Sequence, residues 1–253
     1  MSVNPDPDTT GQAGVESPPG RRARNRQQTE QELKAAALAE VRECGGVGLS
    51  LRSVARRMGM SPAGLYRYVD SREALLTWLI ADGFDDLADA LEDADAAAGP
   101  DVEARLQAVA IAYRAWAVAH PNEFGLLFGD PIPGYAAPDG GSTVDAMRRV
   151  GTAFAGPFLA AISEGRLRIP AAYDVEELAE PLAPMSDLGQ ELSTPVWVLF
   201  LLAWGRLHGQ TSLEVFGQHH WLFPDGCERL YRAEVEALLD EVLLPPGGDD
   251  PAA

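Results

Sequence analysis

A chain of 253 residues, 46% hydrophobic and 23% charged, is long enough to bury a substantial core and too apolar to be disordered throughout. Its two cysteines, Cys44 and Cys227, exclude a disulfide framework and fit a reducing, cytoplasmic setting. The strongest apolar run, Val196 to Trp204, falls far short of the roughly 20 residues that span a bilayer, so no membrane partner is expected.

The net charge of -18 argues against nucleic acid only if it is spread evenly, and it is not. Between Arg21 and Arg72 there are 11 Lys or Arg against 5 Asp or Glu, whereas the remainder holds 9 against 33. A basic head on an acidic body suits a protein that meets phosphate with one surface and is repelled in other orientations.

Residues 1–26 read as a disordered tail ending in a basic arm. The first 20 are polar, acidic and proline-rich, without the apolar core of a signal peptide. Arg21, Arg22, Arg24 and Arg26 come next, and a mobile arm of this kind can enter a minor groove or lie along phosphates.

Residues 27–72 read as three short helices. Thr29-Glu-Gln-Glu32 is a capping box for a helix running to Cys44, with Leu33, Ala37, Val41 and Cys44 inward and Gly45-Gly46 as its stop. Ser50 is placed to cap the second helix, whose Leu51, Val54, Ala55 and Met58 make one apolar face. Gly59 supplies a positive φ, and Ser61-Pro62 restarts a third helix over 62–69, about 12 Å long. Leu65 and Val69 point inward, leaving Ala63, Gly64, Tyr66, Arg67 and Tyr68 outward. Ala63 and Gly64 are small enough to bring the backbone close to base edges, so the pattern is a helix-turn-helix aimed at double-stranded DNA.

Residues 73–245 read as an α-helical ligand-binding and dimerisation domain. The helix from Arg72 to about Ala98 carries Leu76, Ile80, Phe84, Leu87 and Leu91 on one face and extends about 40 Å, enough to pass from head to body. Asp101 opens the next helix, His120-Pro121 interrupts it, and a brief helix covers 122–128. The loop from Asp130 to Gly141 is either a lid or a surface connection. Helix resumes at Ser142 with Pro157 as a kink or break, 169–193 is broken by prolines, and Thr194-Pro195 begins a helix apolar on all sides. Asp225-Gly-Cys-Glu228 is read as the cap of a last helix with Tyr231, Val235, Leu238 and Val242 on one face. The acidic 246–253 is a second disordered tail. Trp116, Phe124, Trp197, Trp204 and His208 are the candidate walls of a small-molecule pocket.

Ala55, Gly59, Ser61, Leu65-Tyr66 and Ser71-Arg72-Glu73-Ala74-Leu75 together resemble the DNA-binding domain of the TetR family of transcriptional repressors, over about residues 29 to 80. The resemblance implies that Arg52, Pro62, Ala63, Arg67 and Tyr68 face bases or the groove, and that Ser50, Tyr66 and Arg72 hold phosphates. Where the family usually has His-Phe after Leu-Tyr-x, this chain has Tyr68-Val69, so the operator cannot be carried over. Trp204-Gly-Arg-Leu-His-Gly209 is similar to the Trp-His-Gly (WHG) pattern of one TetR-like C-terminal group, and His120-Pro-Asn-Glu-Phe124 adds to that likeness.

The same resemblance implies an all-α fold, a homodimer through helices near 194–217 and 226–244, and release from a near-palindromic operator by a small-molecule effector. The competing reading is a ligand-blind DNA-binding module whose acidic C-terminal domain recruits a protein partner. No catalytic constellation is visible, and His208, His219 and His220 lack the neighbouring carboxylate or cysteine of a metal site. Neither enzyme activity nor a cofactor is expected.

Overall fold

Helix formers at amphipathic spacing, with glycine, proline and capping residues between them, divide the chain into ten α-helices among the residues described by the computed structural model, 20–182 and 192–247. The head comprises α1 (Arg21–Gly48), α2 (Leu51–Arg57) and α3 (Pro62–Leu65). The body continues as α4 (Arg72–Ala97), α5 (Val102–Ala119), α6 (Pro121–Phe128), α7 (Ser142–Ser163), α8 (Ala179–Leu182), α9 (Thr194–Val215) and α10 (Glu228–Val242). No helix among the described residues is long and apolar enough to cross a membrane.

Helix starts obey side-chain chemistry at Ser61, Ser71 and Asp101, whose oxygens accept from the N–H groups of Gly64, Ala74 and Ala104 at 2.9–3.1 Å. Three expected caps fail. Ser50 occupies the cap position of α2 without a side-chain bond. Thr29 is not a cap, because α1 begins at Arg21 and the Thr29 hydroxyl donates to the Asn25 carbonyl at 2.9 Å inside the helix. The pairs Arg26–Glu30 and Gln28–Glu32, four residues apart at 2.8 and 3.0 Å, carry the helix through the capping box. Residues 21–26 are therefore the first turns of a helix rather than a mobile arm. At α10 the cap residue is Cys227, not Asp225, and its N–H donates to the Glu214 carboxylate from α9. The expected disorder of 1–19 and 248–253, and part of the proline-broken stretch, lie outside the described residues.

Gly45, at φ 68° and ψ 171°, breaks the helical path of α1 where the glycine pair predicts a stop. Pro157, by contrast, is accommodated inside α7 and buried. Past α7, Leu167 pairs antiparallel with Leu243, and the buried Arg166 donates to the Leu244 carbonyl at 3.0 Å, closing the C-terminal end of the chain onto the body.

The apolar faces assemble into three clusters. Leu33, Ala37, Val54, Ala55, Leu65 and Val69 form the head core together with Leu75, Leu76 and Leu79 of α4. Ile80, Phe84, Leu87 and Leu91, further along the same helix, belong to a body core with Tyr113, Trp116, Phe124 and Val150. The boundary expected at 72/73 is thus displaced: α4 is built into both domains, and the head core ends near Leu79. A third cluster joins α5, α7, α9 and α10 through Val102, Phe158, Leu199, Tyr231 and Val235.

Candidate nucleic-acid interface and body cavity

The helix-turn-helix is set by a few local bonds. Gly59 at φ 66° turns the chain and lets Met60 N–H donate to the Ala55 carbonyl at 2.9 Å. Leu65 and Val69 are buried, whereas the chain leaves α-helical form after Leu65, four residues earlier than expected, and continues as a turn. Arg57 fixes α2 to α1 through Glu43 at 2.7 Å and Glu40 at 3.3 Å.

On the outer surface Arg52, Pro62, Ala63, Tyr66 and Arg67 are exposed, Tyr66 to 54%, and Ser50, Gly64 and Tyr68 are partly covered. A Cβ at Gly64 would stand 3.3 Å from the capping Ser61 oxygen, so glycine here serves the cap as well as any close approach to DNA. Tyr68 packs against the head core with its ring facing the Arg26 guanidinium, 5.9 Å from the ring centroid.

Arg72 is placed differently from the expectation. Its guanidinium donates to the carbonyls of Leu49, Gly46 and Val47 at 2.9–3.0 Å. These carbonyls lie at the end of α1 past the break at Gly45, where Leu49 N–H also donates to the Gly46 carbonyl at 3.4 Å, so Arg72 closes the C-terminal end of α1 rather than projecting toward phosphate.

Head and body touch beyond α4 itself. Arg42 on α1 pairs at 3.5 Å with Glu123 on α6, and Gly46 lies against the end of the Ile132 side chain, 2.7 Å from where a Cβ would stand. The Tyr135 hydroxyl lies 3.1 Å from Thr77 on α4. The loop 130–141, most of it exposed, is thus a surface connection that braces the head through Ile132 and Tyr135.

In the body, α5, α7, α9 and α10 enclose a cavity of about 80 Å³ whose wall includes Leu106, Ala110, Phe154, Phe158, Phe200 and Trp204. Every lining side chain is apolar apart from the Trp204 indole N–H. Of the expected wall residues, only Trp204 lies there. Phe124 and His208 stand behind it in an aromatic group with Tyr113, Phe128 and Trp204, where the Trp204 and His208 rings stack at 5.3 Å. Trp116 stacks on His120 at 5.1 Å, and Trp197 meets Phe200 edge-on at 5.9 Å. Leu106, Ala110 and Leu199, which line the cavity, carry no signal in the sequence beyond a place on helix faces that have to meet.

His208 Nδ1 lies 2.7 Å from the Tyr113 hydroxyl, and burial holds the imidazole below its ordinary pKa. The unfolded chain therefore binds this proton first. Stability from neutral His208 is complete above about pH 6.5 and is lost as pH falls from there through the folded value. Urea melts of His208→Gln are expected to lose part of the wild-type difference between pH 7.5 and pH 5.5; an unchanged difference would clear this residue of any part in it.

Two further groups shape the body. Arg149 on α7 reaches Glu92 and Asp89 of α4 at 2.5 Å each, tying the helix beside the cavity to the helix that enters the head. On the outside, α9 leaves Leu201 and Leu202 40% and 47% exposed beside Gly205, and α10 presents Leu230, Ala233 and Ala237.

Residues 106–238 match the family model of the tetracyclin repressor-like C-terminal domain. The HTH-type transcriptional regulator Rv1816 of Mycobacterium tuberculosis (strain ATCC 25618 / H37Rv) is 36% identical over 208 residues, covering 79% of this chain and 86% of that protein. Mb1846 of Mycobacterium bovis, also an HTH-type transcriptional regulator, matches to the same extent. The chain belongs to the TetR family of transcriptional regulators. Among solved structures, SCO4313, described as a regulatory protein, superposes with a TM-score of 0.70 at 34% identity, covering 87% of this chain and all of that one. The TetR-family regulator PfmR of Thermus thermophilus shares the fold, with a TM-score of 0.54 at 17% identity over 83% of this chain and 97% of that one. This TetR-family chain is accordingly a DNA-binding transcriptional regulator and not an enzyme, with a helix-turn-helix head on a helical C-terminal domain.

Proposed function

We propose that this regulator acts in the cytoplasm as a dimeric repressor, binding a near-palindromic operator and leaving it when an apolar small molecule enters the C-terminal domain. Arg52, Pro62, Ala63, Gly64, Arg67 and Tyr68 face the groove, and Ser50 and Tyr66 meet phosphate. The partner copy covers the exposed leucines of α9 and the small-residue face of α10, giving two heads related by a two-fold axis.

The observation that carries the ligand response is α4, whose one uninterrupted helix supplies Leu75, Leu76 and Leu79 to the head core and Ile80, Phe84, Leu87 and Leu91 to the body core. A helix packed at both ends cannot be displaced in the body without moving the head. The cavity is too small for a drug-sized molecule, so an occupant forces α7 or α9 outward, and α7 is held to α4 by Arg149. Ligand and operator then oppose each other by one reciprocal coupling factor. The nearly all-carbon wall selects a neutral apolar group, since a charge entering it would lose its hydration without a partner.

Ala203 lines the cavity, and Ala203→Leu fills part of it. Wild-type protein should gain thermal stability and release operator DNA with a neutral apolar compound from a panel, while Ala203→Leu still binds the operator but responds to that compound at least tenfold less. Equal release from the variant would place the effector elsewhere.

A further inference from the structure

We propose that Glu123 on α6 and Arg42 on α1 form a latch that sets the angle of each head on its body, half-made in this structure and closed into a two-bond pair when both heads seat on one operator. The inference rests on the reading that two heads bind one operator, and it concerns positioning residues that do not themselves meet DNA.

Its first support is an oxygen atom. Glu123 is buried, and its Oε2 has no hydrogen-bond partner among the described residues. Oε1 faces Nη2 of Arg42 at 3.5 Å, longer than the roughly 2.8 Å of a formed guanidinium–carboxylate bond. A buried carboxylate oxygen left without a donor is costly, and a guanidinium fork is the group whose geometry serves both oxygens at once. The Arg42 side chain is 58% exposed, which leaves it room to advance. An approach of less than about 1 Å completes the first bond and brings the second oxygen within reach.

The second support is where the pair sits. α1 and α6 belong to different domains and meet by packing. Leu126 of α6 lies against Gly46 of α1 and is packed on both the head core and the body core. Arg42 and Glu123 each stand about one turn from that contact along the chain. An apolar contact is non-directional and tolerates small rotations, whereas a two-bond pair fixes both distance and angle. Leu126 against Gly46 therefore acts as the hinge, and the ion pair sets its angle.

The body end of the latch is firm. Phe124 and Phe128 hold α6 in the aromatic group with Tyr113, Trp204 and His208, at ring distances of 5.1–6.3 Å. Any movement of α6 in the body reaches the head through this pair as well as through α4. A single head can dock on a half-site at any angle to its body. Two heads on one duplex gain from the second contact only if both are held at the spacing that the operator imposes, and closing the latch holds them there.

The experiment compares full-length wild type, Arg42→Ala, Arg42→Lys, Glu123→Gln and the double variant Arg42→Ala/Glu123→Gln on two duplexes, one carrying the whole operator and one a single half-site. Thermal melts check that each variant is folded. Relative to the half-site, affinity for the whole operator should fall about tenfold in each single variant, since heads free to tilt forfeit part of the gain from binding together. Arg42→Lys should fall alongside, because one ammonium does not span two oxygens. The double variant should lose no more than either alanine or glutamine change alone. Arg42→Ala and Glu123→Gln alter the net charge in opposite directions, so a fall shared by both is not a changed attraction for DNA. An unchanged ratio in either of them, or additive losses in the double variant, overturns the latch and leaves the two-headed reading in place. Wild type binding both duplexes equally overturns that reading and the latch with it.

Discussion

Glu214→Ala is expected to destabilise the protein by about 3–5 kcal/mol, lowering the melting temperature by roughly 10 °C for a chain of this size. Glu214 accepts two bonds from Arg114 on α5 at 2.6 and 2.7 Å, and Cys227 N–H at the start of α10 donates to it at 2.9 Å. The side chains of Arg114 and Glu214 are only 11% and 9% exposed. Burial pushes the Glu214 carboxyl up, but the bonds from Arg114 and Cys227 outweigh it and hold the group below the ordinary carboxylate range. The stabilisation is therefore complete above the unfolded glutamate pKa and is lost as pH falls through the folded value.

Alanine removes the carboxylate while leaving a buried guanidinium and an uncapped helix start, and most of the cost lies there. Replacing both partners, Arg114→Met with Glu214→Leu, should cost less than the single change, because no charge is left stranded. Chemical denaturation of the three variants measures this. A double variant as unstable as Glu214→Ala would show that shape, rather than charge, holds α5, α9 and α10 together.

Arg72→Ala is expected to lose about 1–2 kcal/mol of stability, because the Leu49 and Val47 carbonyls lose this donor while the Gly46 carbonyl keeps the Leu49 N–H. Its salt slope for operator binding should stay that of wild type. A phosphate contact, as the family resemblance implies for this position, would instead lower the slope by about 0.9 with little change in stability. Arg72→Lys should not restore the loss, since one ammonium cannot reproduce a planar fork reaching Leu49, Gly46 and Val47. Paired denaturation and salt titration separate the two roles; a stable variant with a shallower slope would return Arg72 to the DNA surface.

Much of the head was legible because its signals are local. Gly59 and Ser61 each act on backbone within four residues, and their turn and cap appear where the pattern places them. The same local logic failed at Thr29, Ser50 and Asp225. A capping side chain can only compete for a helix start, and ion pairs through Arg26 or a carboxylate arriving from Glu214 decide that competition. Arg72 misled for a related reason: an exposed-looking arginine at a helix start is drawn inward by acceptors that exist only once the break at Gly45 has formed.

By itself, then, the sequence determined the all-helical class, the basic head on an acidic body, the helix-turn-helix and the long helix between domains, because periodicity, turn chemistry and charge are properties of neighbouring residues. Tertiary structure alone decided that α4 belongs to two cores, that the 130–141 loop braces the head, that Trp204 reaches the cavity while Trp116 and Trp197 do not, and that Arg72 turns inward. Each of these depends on which faces meet across the fold, and apolar periodicity names the buried face of a helix without naming what covers it.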